Sequence, residues 1–333
     1  MRNINRREFL KLSGAALAAL MIPKSPVQAS SPLQTQPPTS LGRSMLWRQA
    51  VRKEPAPRAE WVAWKYREDV FPLLSAVVGE PPWPTNPVWY QIEEGFIHSG
   101  YVQPVENHPQ PPFTDVPESG FWAEVSVPFA EARWRPGSPY VARKLYYETV
   151  YRVVKALPDE EGTWWYQLAE GITWSPGPYV LASSLRRIPP EEIGPIAPGQ
   201  PDKWLYINTT EQRLDCMVGD QVVFSTPTAT GVYGMGTPWG EFTIILKRHT
   251  SRMMGDDYDL PGVPFPVYFT GNGVAIHGTY WHNDYGRRHS HGCVNVPSSA
   301  AKWIFRWVEP VTPYDVWTQR TGSDQGTRVV VEG

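Results

Sequence analysis

His277-Gly278-Thr279 and, eleven residues on, Ser290-His291-Gly292-Cys293-Val294-Asn295 are the stretch on which the reading of this chain turns. Four of its seven histidines lie between His277 and His291, beside one of only two cysteines. A thiol attacks an acyl carbonyl as thiolate, so Cys293 needs a neighbour that takes or holds its proton, and imidazole has a suitable pKa. His277 is the candidate general base; His291, two residues before the cysteine, is the alternative. The attack leaves an oxyanion, and Gly292 lets the main-chain N–H groups of Gly292 and Cys293 point at it, each such donor contributing ~3 kcal/mol.

Upstream stand Ser225-Thr226-Pro227-Thr228-Ala229-Thr230-Gly231 and Gly236-Thr237-Pro238-Trp239-Gly240-Glu241-Phe242. With the His277 and Ser290–Cys293 motifs, they make Lys203 to Gln319 resemble the L,D-transpeptidase (YkuD-type) catalytic domain. The resemblance implies a β-sandwich with Cys293 as nucleophile, His277 as base and the Gly278 carbonyl as the group that orients the base. It leaves His291 to shape the nucleophile loop. Ser290, Thr279, Tyr258 and Asn295 become candidate substrate contacts; many members carry Arg where this chain has Asn295. Met253 to Pro266 is expected to be a loop over the site. The implied reaction is acyl transfer on peptidoglycan stem peptides through a cysteinyl thioester, resolved by an amine to give a 3-3 crosslink. No cofactor and no metal are called for. The same thioester resolved by water would make an L,D-carboxypeptidase, and a dead catalytic domain would leave a wall-binding protein.

Around this core the pattern is that of a mainly β protein. Trp204 to Asn208, Arg213 to Val218 and Gln221 to Ser225 read as consecutive strands, with a hairpin turn at Gly219-Asp220. One helix follows Pro297, capped by Ser298, with an apolar stripe at Ala300, Ala301, Ile304, Trp307 and Val308. Cys216 falls in a strand where a small apolar residue fits. The catalytic domain is placed at 200–320, behind a Pro-rich break from Ile188 to Pro201.

Further upstream, Trp89-Tyr90-Gln91-Ile92-Glu93-Glu94-Gly95 is echoed by Trp165-Tyr166-Gln167-Leu168-Ala169-Glu170-Gly171. Each copy follows β-branched and aromatic runs, and both resemble SH3-like barrels, at 43–108 and 119–190. Their tryptophans either contact glycan or peptide or form barrel core.

The first 29 residues read as a twin-arginine export signal, with Arg6-Arg7 before an apolar run from Leu12 to Ile22 and Val27-Gln28-Ala29 as a cleavage site. That run is shorter than the ~20 residues needed to span a bilayer. Residues 30–42 read as a linker. The chain is therefore expected outside the cytoplasm, in the cell envelope or secreted, with no stable membrane span after cleavage. A net charge of -2, from 31 Lys+Arg and 33 Asp+Glu, gives no electrostatic case for nucleic acid.

Overall fold

The computed structural model describes residues 40–170, 175–322 and 325–333. The expected export signal and most of the expected linker lie outside the described residues. Leu41–Ser44, which begins inside the stretch expected to be linker, is a strand paired with Val70–Pro72 and Val102–Val105.

Two sheets and one helix form the catalytic portion. The first sheet runs Gln221–Pro227, Arg213–Val218, Lys203–Asn208, Arg328–Glu332, Gly240–Thr243 in spatial order. Lys203–Asn208 alternates buried and half-buried residues, the period-two signature of a strand with one face on a core. The second sheet runs Val294–Val296, Ala275–Gly278, Val267–Tyr268, Leu246–Arg248, Thr318–Arg320. Helix α1 (Ser298–Trp307) presents Ala300, Ala301, Ile304 and Phe305 to a cluster that includes Leu205, Ile207, Ile276 and Val294.

Three boundaries differ from expectation. The domain does not end at 320: Arg328–Glu332 lies between two strands, parallel to Lys203–Asn208, and buries Val329 and Val331 in the core. Ser298 is the first helical residue and does not cap; Pro297 holds the cap position without a side-chain hydrogen bond. Met253 to Pro266 is mostly a hairpin, Thr250–Met254 against Asp259–Pro264, turned at Gly255 through a Gly255 N–H to Tyr258 O bond of 2.9 Å.

The two upstream stretches form separate β units. The first pairs a three-stranded sheet with a five-stranded one around Val51, Phe71, Tyr90, Ile97 and Val102; the second builds a five-stranded and a two-stranded sheet around Phe121, Leu145, Val153 and Tyr166. Trp89, Tyr90, Trp165 and Tyr166, the aromatic pairs of the repeat, are all buried, so they build these units and are not presented to a ligand.

Both units share surface with the catalytic portion. Trp122 and Val150 of the second unit belong to the same apolar cluster as helix α1. The Trp122 indole stacks on His249 at 4.6 Å and donates to Tyr314 O at 2.6 Å, while Thr250 Oγ1 donates to Val150 O at 2.6 Å. The buried Arg43 of the first unit donates to Tyr280 O at 2.6 Å and lies 4.3 Å over the Tyr146 ring, tying all three parts together.

Candidate active site

Strand pairing sets the geometry. Ala275–Gly278 runs parallel to Val294–Val296 with Ile276 beside Val294 and His277 beside Asn295. Continued one residue back, this register sets Cys293 beside Ala275. Alternation then puts Cys293 and Asn295 on the same face as Ala275 and His277.

His277 is buried and its Nδ1–H donates to Gly278 O at 2.9 Å. This fixes the tautomer and leaves the Nε2 lone pair to accept a proton. Burial pushes its pKa down to about 4, against the pull of the Gly278 carbonyl. The ring is therefore neutral at pH 7. Burial also pushes the Cys293 thiol up from its ordinary value, opposed by a main-chain contact from Ala275. Thiol and imidazole are thus both neutral at rest, which leaves His277 free of a proton, as a general base must be. In this state Sγ donates to Gly273 O at 3.9 Å, and the His277 Nε2 lone pair accepts from Asn295 Nδ2 at 3.5 Å, a long contact that must open before Nε2 can take a proton from the thiol. Both cysteines are free: Cys293 is half-buried and Cys216 fully buried in its strand.

The nucleophile loop is held by small polar residues. Ser290 Oγ donates to Cys293 O and accepts the Gly292 N–H at 3.1 Å. Gly292 has φ +119°, a conformation that L side chains rarely adopt. Thr237 Oγ1 accepts from Gly231 N at 3.0 Å and donates to Gly292 O at 2.8 Å, so the Thr-Pro motif braces the loop directly. The Ala229 main chain exchanges both hydrogen bonds with Asn295, at 2.9 and 3.0 Å.

Several expected roles change accordingly. Ser290 is a loop brace, and its bond to Gly292 N–H takes that donor away from an oxyanion. Thr279 is buried and bonds to Tyr285 Oη at 2.5 Å and His282 O at 3.3 Å, so it shapes the segment after the base instead of touching substrate. Asn295 is buried and its side chain faces His277. Gly278 is more than an acceptor: a Cβ there would come within 2.7 Å of Pro264 and 2.9 Å of the helix start at Ser298. Tyr258 and His291 do sit together at the mouth, 5.1 Å between rings, and Tyr258 lies within the electrostatic reach of Cys293. His291 is exposed, 3.5 Å from Asp257 on the hairpin turn. Tyr268 donates to Ser251 Oγ at 3.0 Å, and its pKa is raised mainly by burial, with a smaller contribution from Cys293 were that thiol ionised.

Sequence reasoning missed Thr237 as a brace and the group formed by His282, Asp284 and His289. The density of histidines was a usable signal for the latter, and Asp284 stood unremarked among them.

Against known families, residues 202–331 match the YkuD L,D-transpeptidase catalytic domain. Solved structures similar to the chain include the Enterococcus faecium L,D-transpeptidase, 26% identical, covering 39% of this chain and 50% of that one at TM-score 0.33. An L,D-transpeptidase from Stackebrandtia nassauensis is 24% identical over 40% of this chain and 57% of its own, at TM-score 0.31. LdtMt1, solved in complex with imipenem, is 22% identical over 39% and 59%, at TM-score 0.32. The chain thus spans about half the length of the first of these relatives. No curated protein matches it. Residues 202–331 are an L,D-transpeptidase catalytic domain, and the domain match carries that statement.

Proposed function

We propose that this chain, with its L,D-transpeptidase catalytic domain, is an exported acyltransferase that forms 3-3 crosslinks between peptidoglycan stem peptides through a thioester on Cys293. The observation that supports the reading is the parallel pairing of Ala275–Gly278 with Val294–Val296, at whose start Cys293 stands, with the His277 ring oriented by the Gly278 carbonyl.

The chemistry follows from two neutral partners. Substrate entry brings the amide carbonyl of the third stem residue against Sγ; as the C–S bond forms, the thiol proton passes to His277 Nε2. The imidazolium is stabilised by its Nδ1–H to Gly278 O bond. The Cys293 N–H is the loop donor for the oxyanion, since the Gly292 N–H is engaged by Ser290. Collapse of the tetrahedral intermediate breaks the C–N bond, and His277 returns its proton to the departing D-alanine amine. An amine of a second stem then attacks the thioester, His277 taking its proton, and the thiol is restored. Tyr258, His291 and the hairpin turn line the approach to Cys293.

Two measurements test this. Because LdtMt1 was solved in complex with imipenem, that compound is a fitting acylating probe. Intact mass should show one adduct on the wild-type chain and none on Cys293→Ala. Incubation with tetrapeptide stems should give 3-3 dimers by liquid chromatography and mass spectrometry. Tripeptide without dimers would show water, not an amine, resolving the thioester. Absence of both adduct and turnover would end the enzymatic reading. Such stems lie outside the cytoplasmic membrane, which fits the twin-arginine sequence at Arg6-Arg7. No helix among the described residues is long and apolar enough to cross a membrane.

A further inference from the structure

Between the base and the nucleophile the chain runs through Tyr280 to His289, and the first β unit grips this segment. Asp284, whose side chain is fully buried, accepts from Trp83 Nε1 at 2.9 Å on one oxygen and from His289 Nε2 at 2.6 Å on the other. Asn283 N–H donates to Gly100 O at 2.8 Å. The Arg287 guanidinium lies 4.5 Å over the Trp83 ring and 3.7 Å from Asp284, and Tyr101 meets His289 edge-on at 5.9 Å.

From Asp284 the contacts run inward. The His289 ring stacks on His282, 4.5 Å between centroids and 17° between planes. His282 Nδ1 accepts the Asp284 N–H at 3.3 Å, which makes Nε2 the protonated nitrogen. That Nε2 and Asn295 Oδ1 are both buried without a hydrogen-bond partner, and the Asn295 side chain lies near enough to His282 to oppose the lowering of its pKa by burial. Asn295 Nδ2 then reaches His277 Nε2 at 3.5 Å. Buried polar groups packed against one another in this way restrict each other's orientation, and the unpartnered His282 Nε2 and Asn295 Oδ1 make the arrangement sensitive to small shifts.

We propose that the first β unit is part of the catalytic apparatus: Trp83, through Asp284, the His289–His282 stack and Asn295, positions the His277 ring. This rests on the reading of His277 as the base of an L,D-transpeptidase. Trp83, Asp284, His289, His282 and Asn295 are positioning residues; none is argued to touch substrate. A unit that merely docked on the catalytic domain would alter stability when disturbed, but would leave the behaviour of the imidazole alone.

The experiment is imipenem acylation of the full chain, followed in time between pH 3 and 8 so that the acid limb set by His277 is included, with thermal midpoints measured alongside. His98, Tyr101 and Arg287 are the other groups that feel the Asp284 charge, so the profile is read as a comparison between variants. Trp83→Phe keeps an aromatic ring and removes the N–H. It should lower the maximal acylation rate on the order of tenfold, leave the half-saturating imipenem concentration unchanged and displace the acid limb of the profile. Asp284→Asn, which keeps the side-chain shape, should do the same, and it serves if Trp83→Phe folds poorly. Trp83→Phe added to Asn295→Ala should slow the reaction no further than Asn295→Ala alone, because both act on one chain of contacts. Wild-type rates and a superimposable profile in both single variants would overturn the proposal. So would a double variant slowed by the product of the single effects. A wild-type chain that forms no adduct sinks the underlying reading, and the proposal with it.

Discussion

At the scale of single residues, the site is defined by burial acting on two titratable groups in opposite chemical senses. Desolvation lowers the His277 pKa to about 4 and raises the Cys293 thiol. Neutral forms of both therefore persist from about pH 4 to above the ordinary thiol range. The second-order rate of acylation should fall only below about pH 4.5, as His277 takes up a proton before it can serve as base. An acid limb near 6.5, the ordinary histidine value, would refute this. His277→Gln should lower the maximal rate by roughly 10²–10⁴, the usual contribution of a general base. Ser290→Ala leaves the Gly292 N–H without its partner and should cost about 1–3 kcal/mol of stability, measured by denaturant unfolding. Cys293 and Gly292 could be singled out in the sequence because residue type alone restricts what they can do. The work of Ser290, Thr279 and Asn295 was not, because a polar side chain next to a reactive one is as well suited to bracing it as to binding substrate.

Among elements, the parallel pair Ala275–Gly278 and Val294–Val296 carries the site, and helix α1 carries the pair. The helix starts against Gly278 and buries Ile304 and Phe305 in the core beneath both strands. Truncating Ile304 to Ala should cost about 2–5 kcal/mol in unfolding free energy. The helix was legible from its three- and four-residue apolar spacing. Its exact start was not: Ser298 follows a proline whose fixed φ already suits the cap position, so the serine falls inside the first turn. For Met253 to Pro266 the resemblance implies a loop, and Gly255, Pro261, Gly262 and Pro264 do not by themselves betray a hairpin. In the fold they sit at its turn and along a strand whose pairing is interrupted by a register shift.

For the molecule as a whole, the three β units share one buried surface, and three histidines are sealed within it. Burial lowers the pKa of His249 to about 3 and of His277 to about 4, and drives His282 well below its ordinary value. In the unfolded chain these groups take up protons near pH 6.5, whereas in the folded chain they do not until far lower. Stability from this source is complete above about pH 6.5 and declines as the pH falls toward 4. Each histidine contributes a slope of up to about 1.4 kcal/mol per pH unit. Denaturant midpoints at pH 7, 6 and 5 should decline in that order, and a flat series would count against buried neutral histidines. Trp122→Ala should destabilise the whole chain by about 3–5 kcal/mol, since its indole is packed between the second unit and the catalytic core.

The sequence by itself determined the mainly β character and the single helix that follows Cys293, because side-chain periodicity is a local property, and it singled out Cys293 and His277 by their chemistry. It also set the two repeated aromatic stretches apart from the catalytic region. Only tertiary structure decided that Arg328–Glu332 closes the first sheet, that the repeated Trp-Tyr pairs are interior, and that Trp83 lies against Asp284 across 201 positions of chain. Such contacts join residues with no common period or motif, and they arise where separately patterned surfaces exclude water from one another.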